Sequence, residues 1–198
     1  WNATNACCDF FGDAPDDSAY LRQLIEVIAA SYPVDPLRVY VVGFSNGGFM
    51  THVMACDHAD RIAAIIGVAG MQWQDASQCL PSESVSVVHL HGANDTVIDY
   101  AGGCIPTMGC FPSARDTAAI WALLNGCEVT PQLRLPMLDL VDSVDGEDTV
   151  RFDFADCAGA GIEVEFWTTF ADRHLLSFSP NFATVVVEFL LSHPKAPR

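Results

Sequence analysis

Residues Val39, Tyr40, Val41 and Val42 form an unbroken β-branched and aromatic run, and a glycine-flanked serine follows at once in Gly43-Phe44-Ser45-Asn46-Gly47. A run that is apolar on both sides suits a strand covered on both faces, as in a parallel sheet between two layers of helices. Residues 46–56 are helical in character, so the serine falls on a tight strand-to-helix turn. Such a turn puts the serine in strained dihedrals, and glycines two before and two after it are expected to supply room where a Cβ would not fit. With 12 serines in the chain, chance would give about 0.06 such pentapeptides, before a strand ahead and a helix behind are required.

The rest of the chain repeats the rhythm. Asp16-Asp17-Ser18 opens a helix whose apolar residues Leu21, Leu24, Ile25 and Ile28 recur at helical spacing until Pro33. Ile62–Val68 and Val85–Leu90 read as further strands, and residues 93–112, with Gly102, Gly103, Pro106, Gly109 and Pro112, as a loop that Cys104 and Cys110 could cinch. A helix is predicted over Ser113–Leu124, stopped by Asn125-Gly126, then a last strand at Ile162–Thr168 and a last helix at Phe182–Leu191. Strands alternating with helices imply an α/β domain. Between Asp139 and Asp156 seven acids face a single Arg151, which reads as a solvated excursion.

Charge excludes some partners. The chain has 198 residues, 9 Lys+Arg against 25 Asp+Glu and a formal charge of −16, which repels nucleic acid and anionic membranes alike. There is no run of 18 apolar residues and no basic then apolar leader after Trp1, so neither a membrane span nor a signal peptide is expected within these residues. Eight cysteines without Cys-x-x-Cys spacing argue against zinc and for disulfides in an oxidising, extracellular setting.

A serine hydroxyl attacks an acyl carbon only when a histidine takes its proton and an acid orients that histidine. On a turn of this type the acid and then the histidine follow the serine in the chain. Asp95, in the loop after the strand ending at Leu90, is the candidate acid, with Asp99 as rival. Of the two histidines beyond it, His174 lies between the last strand and helix, and His193 in a terminus expected to fray beside Pro194. Ser45, Asp95 and His174 are thus the candidate triad, and the Asn46 N–H, at the positive end of a helix, the candidate oxyanion donor. No metal or cofactor is required. His89 and His91 share one side of their strand, where hydrogen bonding to backbone is the expectation; His52 and His58 suit packing, and Met50 and Met54 the core.

Together these residues resemble the secreted polyhydroxybutyrate depolymerase and feruloyl esterase group of α/β-hydrolases. The resemblance rests on Trp1-Asn2-Ala3 with Cys7-Cys8, Asp16-Asp17, Val34-Asp35-Pro36 with Arg38-Val39-Tyr40, and Gly43-Phe44-Ser45-Asn46-Gly47-Gly48. It continues through Val68-Ala69-Gly70, His91-Gly92 with Asp95, Trp121 with Asn125-Gly126-Cys127, and Cys157. It implies a three-layer sandwich about a mostly parallel sheet, a Ser45–His174–Asp95 esterase acting on an ester substrate, small or polymeric, and a Cys127–Cys157 bridge, with Cys104–Cys110 as second choice. Hydroxyalkanoate or short aliphatic esters are favoured, with feruloyl or acetyl xylan esters, or an inactive binding module, as alternatives. Leu175, Leu176 and Phe178 stand where the group has Ser-Trp-Pro after its histidine, and either line an acyl pocket or join the core. The group carries several strands ahead of its nucleophile strand, whereas only 37 residues precede Arg38. Residues 1–198 are therefore expected to be a single domain truncated on its N-terminal side, without the second oxyanion donor.

Overall fold

The computed structural model describes residues 1–9, 11–170, 173–174 and 177–197. In chain order the elements are α1 (Asp17–Ser31), β1 (Tyr40–Phe44), α2 (Asn46–Asp57), β2 (Ala64–Val68), β3 (Ser86–Gly92), β4 (Gly103–Cys104) and β5 (Cys110–Phe111). There follow α3 (Ala114–Leu124), β6 (Gln132–Leu138), β7 (Thr149–Phe154), β8 (Val164–Thr169) and α4 (Pro180–Ser192). The main sheet runs β1-β2-β3-β8-β7-β6, with its first four strands parallel and β7 and β6 added antiparallel. No helix among the described residues is long and apolar enough to cross a membrane.

Every residue of β2, β3 and β8 is buried, and each strand has apolar side chains on both faces, with His89, His91 and Glu165 buried among them. Ile65, Val87 and Phe166 meet α2 and α3 through Phe49, Met54 and Trp121, while Ile66, Val88 and Trp167 face Val186, Phe189 and Leu190 of α4. Side-chain hydrogen bonds start the helices: Asp16 accepts from the Ala19 N–H, Ser113 from Asp116, and Ser179 from Asn181. The helix opened by Asp16 packs only in part, because Leu21 and Ile25 lean on the core while Leu24 and Ile28 are exposed. Among the described residues strand β1 has one neighbour, β2, and Val42 on it is exposed.

The acidic stretch 139–156 is a solvated excursion only in part: Asp142, Asp145, Glu147 and Asp156 are exposed, but β7 and the buried Asp148 lie within it. Strands β6 and β7 form an antiparallel hairpin that extends the sheet, and Asp148 is wholly buried at its heart. Its Oδ2 accepts from the N–H groups of Leu140 (3.0 Å) and Val141 (2.8 Å), and its Oδ1 from the Thr149 hydroxyl. A carboxylate with that many donors tolerates burial, which composition alone does not reveal. The terminus at His193 is not frayed either: His193 caps α4, is buried, and lies with Nδ1 2.6 Å from the Phe189 carbonyl.

All eight cysteines are paired, Cys127 with Cys157, Cys104 with Cys110, Cys56 with Cys79, and Cys7 with its neighbour Cys8. The Cys127–Cys157 bridge ties the base of the β6–β7 hairpin across a separation of 30 residues. In the loop-entropy picture, a closure of that length restricts the unfolded chain by about 3 to 4 kcal/mol.

Candidate active site

Ser45 sits at φ 55° and ψ −119°, a conformation that non-glycine residues avoid, between β1 and the first turn of α2. The backbone crowds around it. A Cβ at Gly43 would lie 2.1 Å from the Gly47 carbonyl oxygen, one at Gly48 2.5 Å from that of Val68, and one at Gly70 2.3 Å from the Phe49 nitrogen. Gly47 differs from expectation, since a Cβ there would meet nothing within 4 Å. The close approach expected at the second glycine of the pentapeptide falls on Gly48 and Gly70, where α2 crosses the end of β2. The Ser45 N–H is fixed by the Val68 carbonyl at 2.8 Å, which leaves the hydroxyl free to turn away from the helix.

The structure brings the three singled-out side chains into one chain of hydrogen bonds. Ser45 Oγ lies 2.7 Å from His174 Nε2, and His174 Nδ1 lies 2.7 Å from Asp95 Oδ2. The carboxylate only accepts, so Nδ1 carries the ring proton and Nε2 is left to accept from the serine. Phe44 packs against the imidazole with ring centroids 5.0 Å apart. Asp95 is almost wholly buried, and its Oδ1 accepts from the N–H groups of Val97 (2.8 Å) and Ile98 (3.0 Å). Burial alone would raise its pKa, but the bonds from His91, His174, Val97 and Ile98 outweigh it and hold the carboxyl well below the usual range. Asp99, the rival acid, is exposed and accepts from the Ala101 N–H at 2.9 Å. His193 lies across the sheet beside α4.

Asn46 opens α2, so its N–H has no carbonyl partner within the helix and sits at the positive helix end. Its side chain is engaged elsewhere, donating from Nδ2 to the Trp1 carbonyl at 2.8 Å. Beside the serine lies a cleft of about 650 Å³ lined by Cys7, Cys8, Val97, Ile98, Ile105 and Pro106, among others. Phe178 is not part of its wall, because it stacks on Phe182 with centroids 3.8 Å apart and its backbone bridges Val141. Leu175 and Leu176 lie outside the described residues.

Sequence reasoning did not foresee a row of buried imidazoles behind this site. His52, His89 and His91 follow one another with ring centroids 5.6 and 5.5 Å apart. His52 accepts from the Trp121 indole N–H at 2.9 Å and donates to the Gly70 carbonyl at 3.1 Å. His89, also fully buried, has no protein partner for either ring nitrogen among the described residues. Burial pushes His52 down to about 4 and His89 well below its ordinary value. The unfolded chain therefore takes up protons that the folded one refuses as pH falls below 6.5, and stability drops with it. Replacing His89 by phenylalanine is expected to add about 1 kcal/mol at neutral pH by removing an unpaired buried polar ring. The gain should be larger near about pH 5 than near about pH 7.5 in urea unfolding; an equal or opposite change at the two pH values contradicts this.

Comparison with known proteins agrees with this geometry. Residues 13–105 match the phospholipase/carboxylesterase family. Feruloyl esterase B of Piromyces equi is 32% identical over 143 residues, covering 69% of this chain and 26% of that protein. Poly(3-hydroxyalkanoate) depolymerase C of Paucimonas lemoignei is 35% identical over 81 residues, 38% of this chain and 20% of that one. The chain thus spans about a quarter of the length of these relatives. Among solved structures, the acetyl xylan esterase of Aspergillus awamori shares the fold with a TM-score of 0.60 at 16% identity, covering 89% of this chain and 67% of that one. Sheet, serine turn and sequence likeness together give this chain the α/β-hydrolase fold and a likeness to feruloyl esterases and polyhydroxyalkanoate depolymerases.

Proposed function

We propose that this chain is the catalytic domain of a secreted serine carboxylic-ester hydrolase, polyhydroxybutyrate depolymerase-like, acting on hydroxyalkanoate or short aliphatic esters. The observation that carries the reading is the continuous Ser45–His174–Asp95 hydrogen-bond chain at a strained turn. Four disulfides support the extracellular setting. The free edge of β1 and the exposed Leu24, Val27 and Ile28 of α1 support a domain with further strands beyond β1.

In this mechanism His174 Nε2 takes the Ser45 hydroxyl proton as Oγ bonds to the ester carbonyl carbon. The carbonyl oxygen becomes an oxyanion near the Asn46 N–H. Asp95 stabilises the imidazolium that forms. The tetrahedral intermediate then collapses, the alcohol leaves with the proton from His174, and the acyl group stays on Ser45. A water, deprotonated by the same imidazole, repeats the addition and releases the acid, returning the proton to Ser45.

Two features support aliphatic and neutral substrates. Val97, Ile98, Ile105 and Pro106 give the cleft an aliphatic wall, and the charge of −16 disfavours acidic polysaccharides and free acid products. The feruloyl esterase likeness favours the second reading, an esterase of feruloyl or acetyl groups on plant polysaccharide. The deciding measurement is kcat/KM for a 3-hydroxybutyrate oligomer or p-nitrophenyl butyrate against methyl ferulate. The aliphatic ester is expected to win; a ferulate preference of about tenfold, or about 1.4 kcal/mol in transition-state binding, reverses the assignment.

A further inference from the structure

His91 belongs to the buried imidazole row but faces the acid. It is wholly buried on β3, four residues before Asp95. Its Nε2 lies 2.8 Å from the Ile98 carbonyl oxygen and 3.4 Å from Asp95 Oδ2. A carbonyl oxygen can only accept, so Nε2 carries a proton. Ile98 is therefore tied twice, its N–H donating to Asp95 Oδ1 and its carbonyl accepting from His91. The His91 ring is itself fixed, with Tyr100 edge-on at 5.9 Å and His89 at 5.5 Å between centroids. Tyr100 is in turn anchored across the sheet by a 2.9 Å contact between its hydroxyl and that of Thr168.

We propose that His91 is a positioning residue for Asp95. Its Nε2–H, shared between the Ile98 carbonyl and Asp95 Oδ2, keeps the turn over residues 95–98 closed and the carboxylate aimed at His174 Nδ1. The inference rests on reading Ser45, His174 and Asp95 as nucleophile, base and acid. Oδ2 receives donors from two directions, His174 from the cleft and His91 from the core. Without the second, the Ile98 carbonyl lacks a donor in a place closed to solvent and Oδ2 keeps only His174, and the turn reopens toward the cleft so that the carbonyl can find one. A displacement of about 1 Å in such a constellation costs about 10²-fold in rate.

Two substitutions separate this role from space filling. In H91Q the amide nitrogen reaches the place of Nε2 and can donate, whereas H91L keeps the bulk and loses the donor. The expected result is a fall in kcat of about 10²-fold for H91L with KM changed by less than about threefold, and recovery of most of that loss in H91Q. If His91 only fills space, leucine serves the core at least as well as glutamine, so kcat of H91L equal to or above that of H91Q overturns the proposal. A second measurement needs no variant: nitrogen-15 spectra of the wild-type histidine rings should show His91 protonated on Nε2. A proton on Nδ1 with Nε2 bare overturns it too. S45A keeps the two readings apart. If S45A abolishes turnover while H91L retains it, only the role of His91 fails; if S45A retains turnover, the triad reading falls and this inference with it.

Discussion

Replacing Ser45 by alanine is expected to lower kcat toward an ester by about 10⁶-fold, and replacing His174 by alanine to cost about as much, with little further loss when the two are combined. The reason is the single hydrogen-bond chain: Ser45 Oγ has one base at 2.7 Å, and without it the hydroxyl is an ordinary alcohol. Non-additivity is the sharper part of the prediction, because independent contributions would multiply. An organophosphate should label Ser45 and no other serine of the 12, as read by intact mass and peptide mapping. Label persisting in S45A, or a larger loss in His193→Gln than in H174A, would refute the assignment.

The second large effect is expected at the acid. Asp95→Asn should leave the fold intact and lower kcat by about 10⁴-fold, about 5 kcal/mol of transition-state stabilisation, on the scale of the corresponding change in serine proteases. The bonding pattern explains why so small a change is so costly. An asparagine would keep its carbonyl oxygen on the N–H groups of Val97 and Ile98, and would therefore turn its amide N–H toward His174. An N–H aimed at Nδ1 selects the imidazole tautomer with its proton on Nε2, and that form cannot accept from Ser45. Asp99→Asn should cost far less, since Asp99 caps the local turn at Ala101 and makes no bond to His174. Circular dichroism with kcat for both variants checks the point, and a greater loss at Asp99 would reassign the acid.

The parallel half of the sheet was open to sequence reasoning because β2 is apolar on both faces and β3 and β8 largely so, with His89, His91 and Glu165 among the exceptions, and few other structures tolerate that pattern. The serine turn was open because its glycines answer a steric demand, although the demand at Gly47 proved to sit at Gly48 and Gly70. The three side chains that meet at the turn are those singled out from chain order and loop position. The β6–β7 hairpin was hidden by its charge: Val150, Phe152 and Phe154 alternate with Arg151 and Asp153 as a strand does, but the acids around them read as solvated, and the donors that let Asp148 be buried come from backbone eight and seven residues away. The imidazole row was hidden for another reason. His52 and His89 are 37 positions apart, on different elements, and become neighbours because α2 packs over β2, where Gly67, paired with His89, leaves room for the His52 ring.

The loop from Asp95 to Phe111 has a consequence for how this protein could diversify. The same stretch supplies the proposed acid, Asp95, and much of the cleft wall, through Val97, Ile98, Ile105 and Pro106. Ile98 does both, since its side chain lines the cleft while its N–H and carbonyl hold Asp95 and His91. Substrate range and turnover are therefore inherited together along this segment, and a mutational library drawn across residues 95–98 would lose most of its members to inactivity before any reached a new ester. The Cys104–Cys110 bridge separates the far end of the loop, around Ile105 and Pro106, from that constraint. Selection for new specificity should accumulate its changes there.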